Sequence, residues 1–109
     1  MGNMKGLVYY ENIESFNRTG IINSHRPVVI VSATPTGNLV QVVPLTTKDN
    51  KLDENDARVQ VKVKNMTSYA LCAQIRTVNY RELSSFPMWV LTDKETEDIN
   101  CAVRRVLAV

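Results

Sequence analysis

The chain has few of the residues from which metal sites and nucleophilic active sites are usually built. Its 109 residues include one histidine and two cysteines, Cys72 and Cys101, which lie far apart with no other His or Cys at metal-ligand spacing. No zinc site, cysteine nucleophile or other cofactor is therefore expected. Both cysteines are predicted to be reduced packing residues.

Long apolar runs are missing as well, and the net charge is small. No run approaches the ~20 residues that span a bilayer, and the first residues lack the apolar core of a signal peptide. Thirteen basic and 11 acidic residues give a charge of +2, too little to imply a nucleic-acid partner by itself. We expect a cytoplasmic protein without a membrane partner, folded as one domain over residues 1–109.

Short apolar segments separated by turn-forming residues predict a mainly β structure. Strands are predicted in the four most regular segments, which are 6–10, 27–33, 39–46 and 58–65. One or two more strands are expected within 69–78, and a β-prone segment follows at 86–91. The polar segments 11–26 and 47–57 are predicted to be long loops.

The C-terminal segment changes to a helical period. Thr92 followed by Glu95 is the pattern of a capping box, and apolar residues then recur at helical spacing as far as Leu107. Five or six short strands with one terminal amphipathic helix indicate a small β-barrel, because the edges of an open sheet need closure or cover. The predicted fold class is mainly β (α+β).

Polar residues at strand ends are the remaining candidates for a functional site. Arg26 precedes the second predicted strand, Thr46 and Thr47 end the third, and Gln74 and Arg76 interrupt a later apolar segment. Taken singly, each also fits a purely structural interpretation. A strand-flanking arginine is commonly solvated, and threonine is favoured in strands.

Four sequence blocks occur in order along the chain: a Gly-x-Val-Tyr start at 6–9, "HRPVVIVS" at 25–32, "VVPLTT" at 42–47 and "AQIRTV" at 73–78. In this order they resemble the MazF/PemK (Kid) family of type II toxin–antitoxin endoribonucleases. The resemblance extends over residues 6–107. It implies a small SH3-like β-barrel with a C-terminal α-helix, of the CcdB/PemK type.

The resemblance also implies an activity and partners. Members of the family are homodimers that cleave single-stranded RNA in grooves at the dimer interface, without a metal. The products carry a 2′,3′-cyclic phosphate and a 5′-hydroxyl. A cognate MazE-like antitoxin is expected to bind the toxin and block the groove.

Carried over residue by residue, the resemblance makes Arg26 and Thr46 the catalytic residues. In this reaction the ribose 2′-hydroxyl attacks its own phosphate, so charge develops on phosphoryl oxygens that a permanently charged guanidinium can stabilise. Thr46 can donate one hydrogen bond. Substrate-binding roles are predicted for four further residues: His25, Thr47, Gln74 and Arg76. Whether His25 is a general acid or only borders the groove stays open.

The chain departs from the family pattern where relatives usually carry acids. Leu7, the segment "RTGIINS" at 18–24 and Ala73 stand in those places. The RNA motif is therefore not implied, and a catalytically weak relative that binds RNA or a peptide is the alternative. A topoisomerase poison of the related CcdB type is disfavoured, because such proteins depend on a Trp-Gly-Ile C-terminus whereas this sequence ends "RRVLAV".

Overall fold

The computed structural model describes residues 4–12, 25–48 and 57–108. Within these ranges the chain forms seven β-strands and one α-helix, and the predicted mainly β class with a C-terminal helix is confirmed. The elements are β1 (Leu7–Asn12), β2 (His25–Ala33), β3 (Leu39–Thr46), β4 (Arg58–Val63), β5 (Met66–Leu71), β6 (Arg76–Asn79), β7 (Trp89–Val90) and α1 (Asp93–Leu107). Short 3₁₀ turns, Cys72–Gln74 and Tyr80–Glu82, follow β5 and β6.

The strands pair antiparallel in the order β4-β5-β3-β2-β1-β7, and β6 also pairs with β3. One edge of β3 serves two partners: Leu39–Val42 pair with β6, whereas Leu45 and Thr46 pair with β5. The 3₁₀ turn Cys72–Gln74 carries the chain from one partner strand to the other. The sheet divides at this point and curls into a half-barrel.

Each face of the central strands packs against its own core. One face presents Val8, Val29 and Val43 to the helix residues Ile99 and Ala102. The opposite face carries a second apolar cluster that consists of Tyr9, Val28, Ile30, Val40, Val42, Val78 and Leu83. Burial on both faces explains why β2 is an almost continuous apolar run instead of an alternating one.

The helix begins where the capping box predicts. The Thr92 hydroxyl accepts a hydrogen bond from the backbone N–H of Glu95, and the Glu95 carboxylate accepts one from the backbone N–H of Thr92. The same carboxylate also accepts a 2.7 Å hydrogen bond from the backbone N–H of Lys62 in β4. Glu95 therefore fastens the start of α1 to the strand at one end of the sheet.

Burial alone would raise the pKa of the Glu95 carboxyl. Hydrogen bonds from the backbone of Thr92 and Lys62 and from the Thr92 hydroxyl outweigh burial and lower that pKa below its ordinary value of 4.5. These bonds are made to the ionised form, so they favour deprotonation. The ionised carboxylate is therefore the form that holds the helix to β4.

The predicted loop 11–26 is wrong at both ends. Glu11 and Asn12 continue β1, and His25 and Arg26 begin β2, because the antiparallel pairing extends to Asn12 opposite His25. Backbone pairing with a partner strand keeps these polar residues extended, and no local pattern records that pairing. The second predicted loop, 47–57, lies mostly outside the described residues.

The other differences concern strand ends. The strand predicted at 58–65 stops at Val63, because Lys64 and Asn65 form a two-residue hairpin turn with φ of 51° and 67°. The segment 69–78 holds the end of β5 and most of β6, with buried Cys72 in the 3₁₀ turn between them. Only Trp89 and Val90 of 86–91 pair as a strand.

The described residues also bear on membrane association and on the two cysteines. Within residues 4–12, 25–48 and 57–108, no helix is long and apolar enough to cross a bilayer. Cys72 is buried, as predicted for a packing residue, whereas Cys101 is exposed, so its predicted packing role is wrong.

Candidate functional site

Arg26 and Thr46 lie on the same face of the sheet, which we call the site face and define by Tyr9, Val28 and Val42. Val28 and Pro44 form the last described pair between β2 and β3, so they share a face. Arg26 and Thr46 each lie two residues beyond that pair, and residues two apart on a strand point to the same side of the sheet. The fold therefore places on one face two residues that are 20 positions apart in the sequence.

Arg26 is exposed, and its guanidinium is open to a ligand. Its backbone is fixed by the pairing with Glu11, and Pro27 follows it in the strand. Within the described ranges no hydrogen bond or ion pair engages the Arg26 side chain. All five of its N–H donors can therefore bind an anion, and a planar fork of this kind fits a phosphate.

Thr46 is half-buried at the end of β3, where it also pairs with Tyr69 of β5. Its Oγ1 accepts a 3.1 Å hydrogen bond from the backbone N–H of Lys48. The hydroxyl proton of Thr46 remains available to donate to a ligand, because the bond to Lys48 uses only a lone pair. Thr47, which follows Thr46 in a bend, is exposed.

Arg76 lies on the site face too, but a protein carboxylate already engages it. Its Nη1 donates a 2.6 Å hydrogen bond to Oε2 of Glu11, and its Nη2 pairs with Oε1 of the same side chain. The Glu11 side chain is 4% exposed and that of Arg76 is 42% exposed. The two residues form a two-point ion pair with one partner inside the protein and the other at its surface.

Glu11 is a site residue that the sequence interpretation missed, because it fell in a segment predicted to be a loop. No local signal marks it as a strand residue, because β1 is a continuous apolar run from Leu7 to Tyr10 that ends in two polar residues. Glu11 pairs with Arg26 in the strand register and binds Arg76 through its side chain. It therefore links the two arginines of the site face.

The remaining predicted residues do not converge on this group within the described contacts. Gln74 is exposed in the 3₁₀ turn between β5 and β6, and no described hydrogen bond joins it to Arg26 or Thr46. His25 begins β2, opposite Asn12, but its side chain lies outside the described residues. The predicted substrate-binding roles of His25, Thr47, Gln74 and Arg76 stay predictions.

Cofactor ligands do not cluster in the part of the chain that the structure describes. No group of three or more His, Cys, Asp or Glu side chains within it could hold a metal ion. The predicted site residues instead offer donors, which are the guanidinium of Arg26 and the hydroxyl of Thr46, while Glu11 engages the guanidinium of Arg76. This set is suited to binding an anion.

Comparison with known proteins identifies what the chain is similar to. The profile of the family described as "PemK-like, MazF-like toxin of type II toxin-antitoxin system" matches residues 5–107. No curated protein sequence matches significantly.

Solved structures share the fold at low sequence identity. An endoribonuclease from a mycobacterial species superposes with a TM-score of 0.73 at 21% identity, over 100% of this chain and 94% of that one. An endoribonuclease bound to its cognate antitoxin, also mycobacterial, gives a TM-score of 0.71 at 22% identity, over 98% and 94%. A MazE–MazF complex from Deinococcus radiodurans gives 0.72 at 14% identity, over 100% and 98%.

Proposed function

Since the chain belongs to the PemK-like, MazF-like toxin family of type II toxin–antitoxin systems, we propose that it is an endoribonuclease that cleaves single-stranded RNA at Arg26 and Thr46. The observation that supports the proposal is that both residues lie on the site face, each two positions beyond the Val28–Pro44 pair, and that Arg26 is exposed there. The endoribonucleases among the solved structures share the fold over nearly the whole chain.

The proposed reaction is an internal transfer of the phosphoryl group. The ribose 2′-hydroxyl attacks the adjacent phosphorus, the bond to the 5′-oxygen of the next nucleotide breaks, and a 2′,3′-cyclic phosphate and a 5′-hydroxyl result. The proton of the 2′-hydroxyl is lost and the leaving 5′-oxygen gains one. The reaction needs no water, and we propose that it needs no metal.

Arg26 is assigned to the charge that grows on the non-bridging phosphoryl oxygens. Donors that are already in place before the reaction stabilise such charge most effectively, and each is commonly worth a few kcal/mol in the transition state. Thr46 is assigned one hydrogen bond to a phosphoryl oxygen or to the leaving oxygen. The role of Arg26 is electrostatic, because a guanidinium keeps its positive charge throughout the reaction.

Two kinds of partner complete the proposal. We propose that the chain forms a homodimer, and that a MazE-like antitoxin neutralises it by covering the site face. The mycobacterial complex with a cognate antitoxin and the MazE–MazF complex are consistent with such a partner. An acidic antitoxin segment would suit the exposed guanidinium of Arg26, and its binding would compete with RNA.

The test is incubation of the purified protein with a long single-stranded RNA in EDTA, followed by analysis of the fragment ends. Fragments with cyclic phosphate and 5′-hydroxyl ends support the proposal, and their sequences reveal the motif. An oligonucleotide that carries a single 2′-deoxyribose at the mapped position should resist cleavage there. RNA that is bound but left intact by folded protein would favour the alternative of a binding module.

A further inference from the structure

Beyond Thr46, the site face continues onto two more strands. Thr46 pairs with Tyr69 of β5, and Tyr69 pairs with Gln60 of β4. Directly opposite residues share a face, so the Tyr69 ring projects from the site face next to Thr46. The buried residues of β4 and β5, among them Val61 and Ala70, occupy the opposite face.

Tyr69 is half-buried and is partnered by a cation. The Arg58 guanidinium carbon lies 5.7 Å from the centroid of the Tyr69 ring, within the range of a cation–π contact. Arg58 is two positions from Gln60 along β4, so it reaches Tyr69 diagonally across the strand pair. The Tyr69 ring, in contact with Arg58, therefore lies beside Thr46, whose hydroxyl we propose to bind the scissile phosphate.

Three cations belong to this part of the site face: Arg26 lies two residues beyond the Val28–Pro44 pair, Lys48 is exposed two residues beyond Thr46, and Arg58 lies on the ring. The carboxylate of Glu11 on the same face is paired with Arg76. A basic surface with an aromatic side chain is the combination by which proteins hold single-stranded nucleic acid, because the cations follow the backbone and the ring stacks on a base. A ring beside the phosphate-binding residues can reach the base of the same or the adjoining nucleotide.

We propose that Tyr69, held by Arg58, is a base-stacking subsite for the nucleotide next to the phosphate cleaved at Thr46. The proposal rests on the proposed RNA cleavage and adds a binding residue to it. Stacking on the ring is tolerant of base identity, so Tyr69 contributes affinity and positioning more than it selects a sequence. Unpaired RNA is required, because a base within a duplex cannot present its face to the ring.

The first experiment measures binding separately from cleavage. A single-stranded oligonucleotide with 2′-O-methyl riboses throughout cannot supply the attacking hydroxyl, so its affinity is measured without turnover. Tyr69→Leu should raise its Kd about tenfold or more, because one base–aromatic stack is lost. Tyr69→Phe keeps the ring and should leave Kd unchanged. Phe86→Leu removes an exposed ring elsewhere and is the matched control.

The second experiment uses the wild-type protein alone, so it does not depend on how any variant folds. The same oligonucleotide with 5-iodouracil in place of uracil is irradiated in the complex, and the cross-linked peptide is identified by mass spectrometry. The expected attachment is at Tyr69. A cross-link confined to other peptides, or an unchanged Kd for a folded Tyr69→Leu, would overturn the subsite.

The results distinguish rejection of the stacking subsite from rejection of the proposed function. If wild-type protein cleaves RNA and Tyr69→Leu has the same KM and kcat, only the stacking subsite is rejected. If wild-type protein neither cleaves unmodified RNA nor binds the 2′-O-methyl oligonucleotide, the proposed function is rejected and the subsite with it. Cleavage with a raised KM in Tyr69→Leu and a normal KM in Tyr69→Phe supports both.

Discussion

Glu11 and Arg76 belong to strands that are not neighbours in the sheet, yet their side chains form a two-point ion pair across the site face. β2 and β3 lie between the two strands. The side chains meet because the sheet curls and the arginine is long. The pair joins β1 to β6. It therefore fixes the curvature of the face on which Arg26 lies.

Removing Arg76 should lower the free energy of unfolding more than removing the charge of Glu11. Arg76→Met leaves a carboxylate that is almost fully buried without its cation, whereas Glu11→Gln leaves a guanidinium that water still reaches. We expect a loss of about 3 kcal/mol in the free energy of unfolding for Arg76→Met and of about 1 kcal/mol for Glu11→Gln. Urea unfolding measures both.

The double variant Glu11→Gln/Arg76→Met is the control for this asymmetry. Replacing the carboxylate in the Arg76→Met background removes the buried charge, so the double variant should be more stable than Arg76→Met alone. Equal losses for the two single variants would contradict the structural account of the pair.

Thr46 should matter for catalysis through its hydroxyl and not through its methyl group. Thr46→Ala removes one hydrogen bond from an uncharged donor to the anionic phosphate, so we expect about a tenfold or larger fall in kcat. Thr46→Ser retains the donor and should stay close to wild type. Single-turnover cleavage of one RNA substrate compares the three proteins, and a Ser variant as slow as the Ala variant would show that the hydroxyl is not used.

Glu95 should make the stability of the fold depend on acid pH. Its pKa in the folded protein lies below the ordinary value of 4.5, so its stabilising contribution is complete above that value and is lost as the pH falls through the folded pKa. Glu95→Gln keeps the shape but removes the charge. The difference in unfolding free energy between the two proteins should be constant well above pH 4.5 and should shrink as the pH falls below that value.

Thermal unfolding at several pH values measures this difference, and Glu97→Gln serves as the comparison because Glu97 is exposed on the same helix. A stability gap for Glu95→Gln that is constant over the whole range would mean that the carboxylate does not need its charge to hold α1 to β4.

Gly6 should not tolerate a side chain. Its φ is +85°, and a Cβ there would lie 2.6 Å from Oγ1 of Thr96 on the helix. Gly6→Ala should cost about 1–3 kcal/mol of unfolding free energy, since it combines a strained backbone with a clash. The additional substitution Thr96→Ala removes the clash but not the strain, so it should restore only part of the loss. Full stability in Gly6→Ala would contradict the described geometry.

Much of the fold followed from local patterns. The strand at 39–46, the valine alternation in β4 and the capping box at Thr92 each depend on neighbours in sequence, and each was predicted correctly. The ends of β1 and β2 could not be predicted in this way, because polar residues such as Glu11 and Arg26 are held extended by cross-strand pairing. The split of β3 between two partner strands likewise depends on contacts far apart in the chain.

The site was predictable only in part for the same reason. The family resemblance singled out Arg26 and Thr46, but the pairing of Glu11 with Arg76 arises from the curl of the sheet, and no spacing in the sequence encodes it. Tyr69 looked like an ordinary strand residue, and its significance comes from the register that sets it beside Thr46. Such residues can be recognised only when the pairing of the strands is known.

The most direct measurement compares the RNA-cleavage rate of wild-type protein with those of Arg26→Ala and Arg104→Ala, in EDTA. Arg104 is an exposed arginine of the helix and controls for the loss of one positive charge. We expect Arg26→Ala to lose cleavage by about a hundredfold or more with an unchanged circular dichroism spectrum, while Arg104→Ala cleaves like wild type. Normal cleavage by folded Arg26→Ala would contradict the assignment of the active site to the face of β2 and β3.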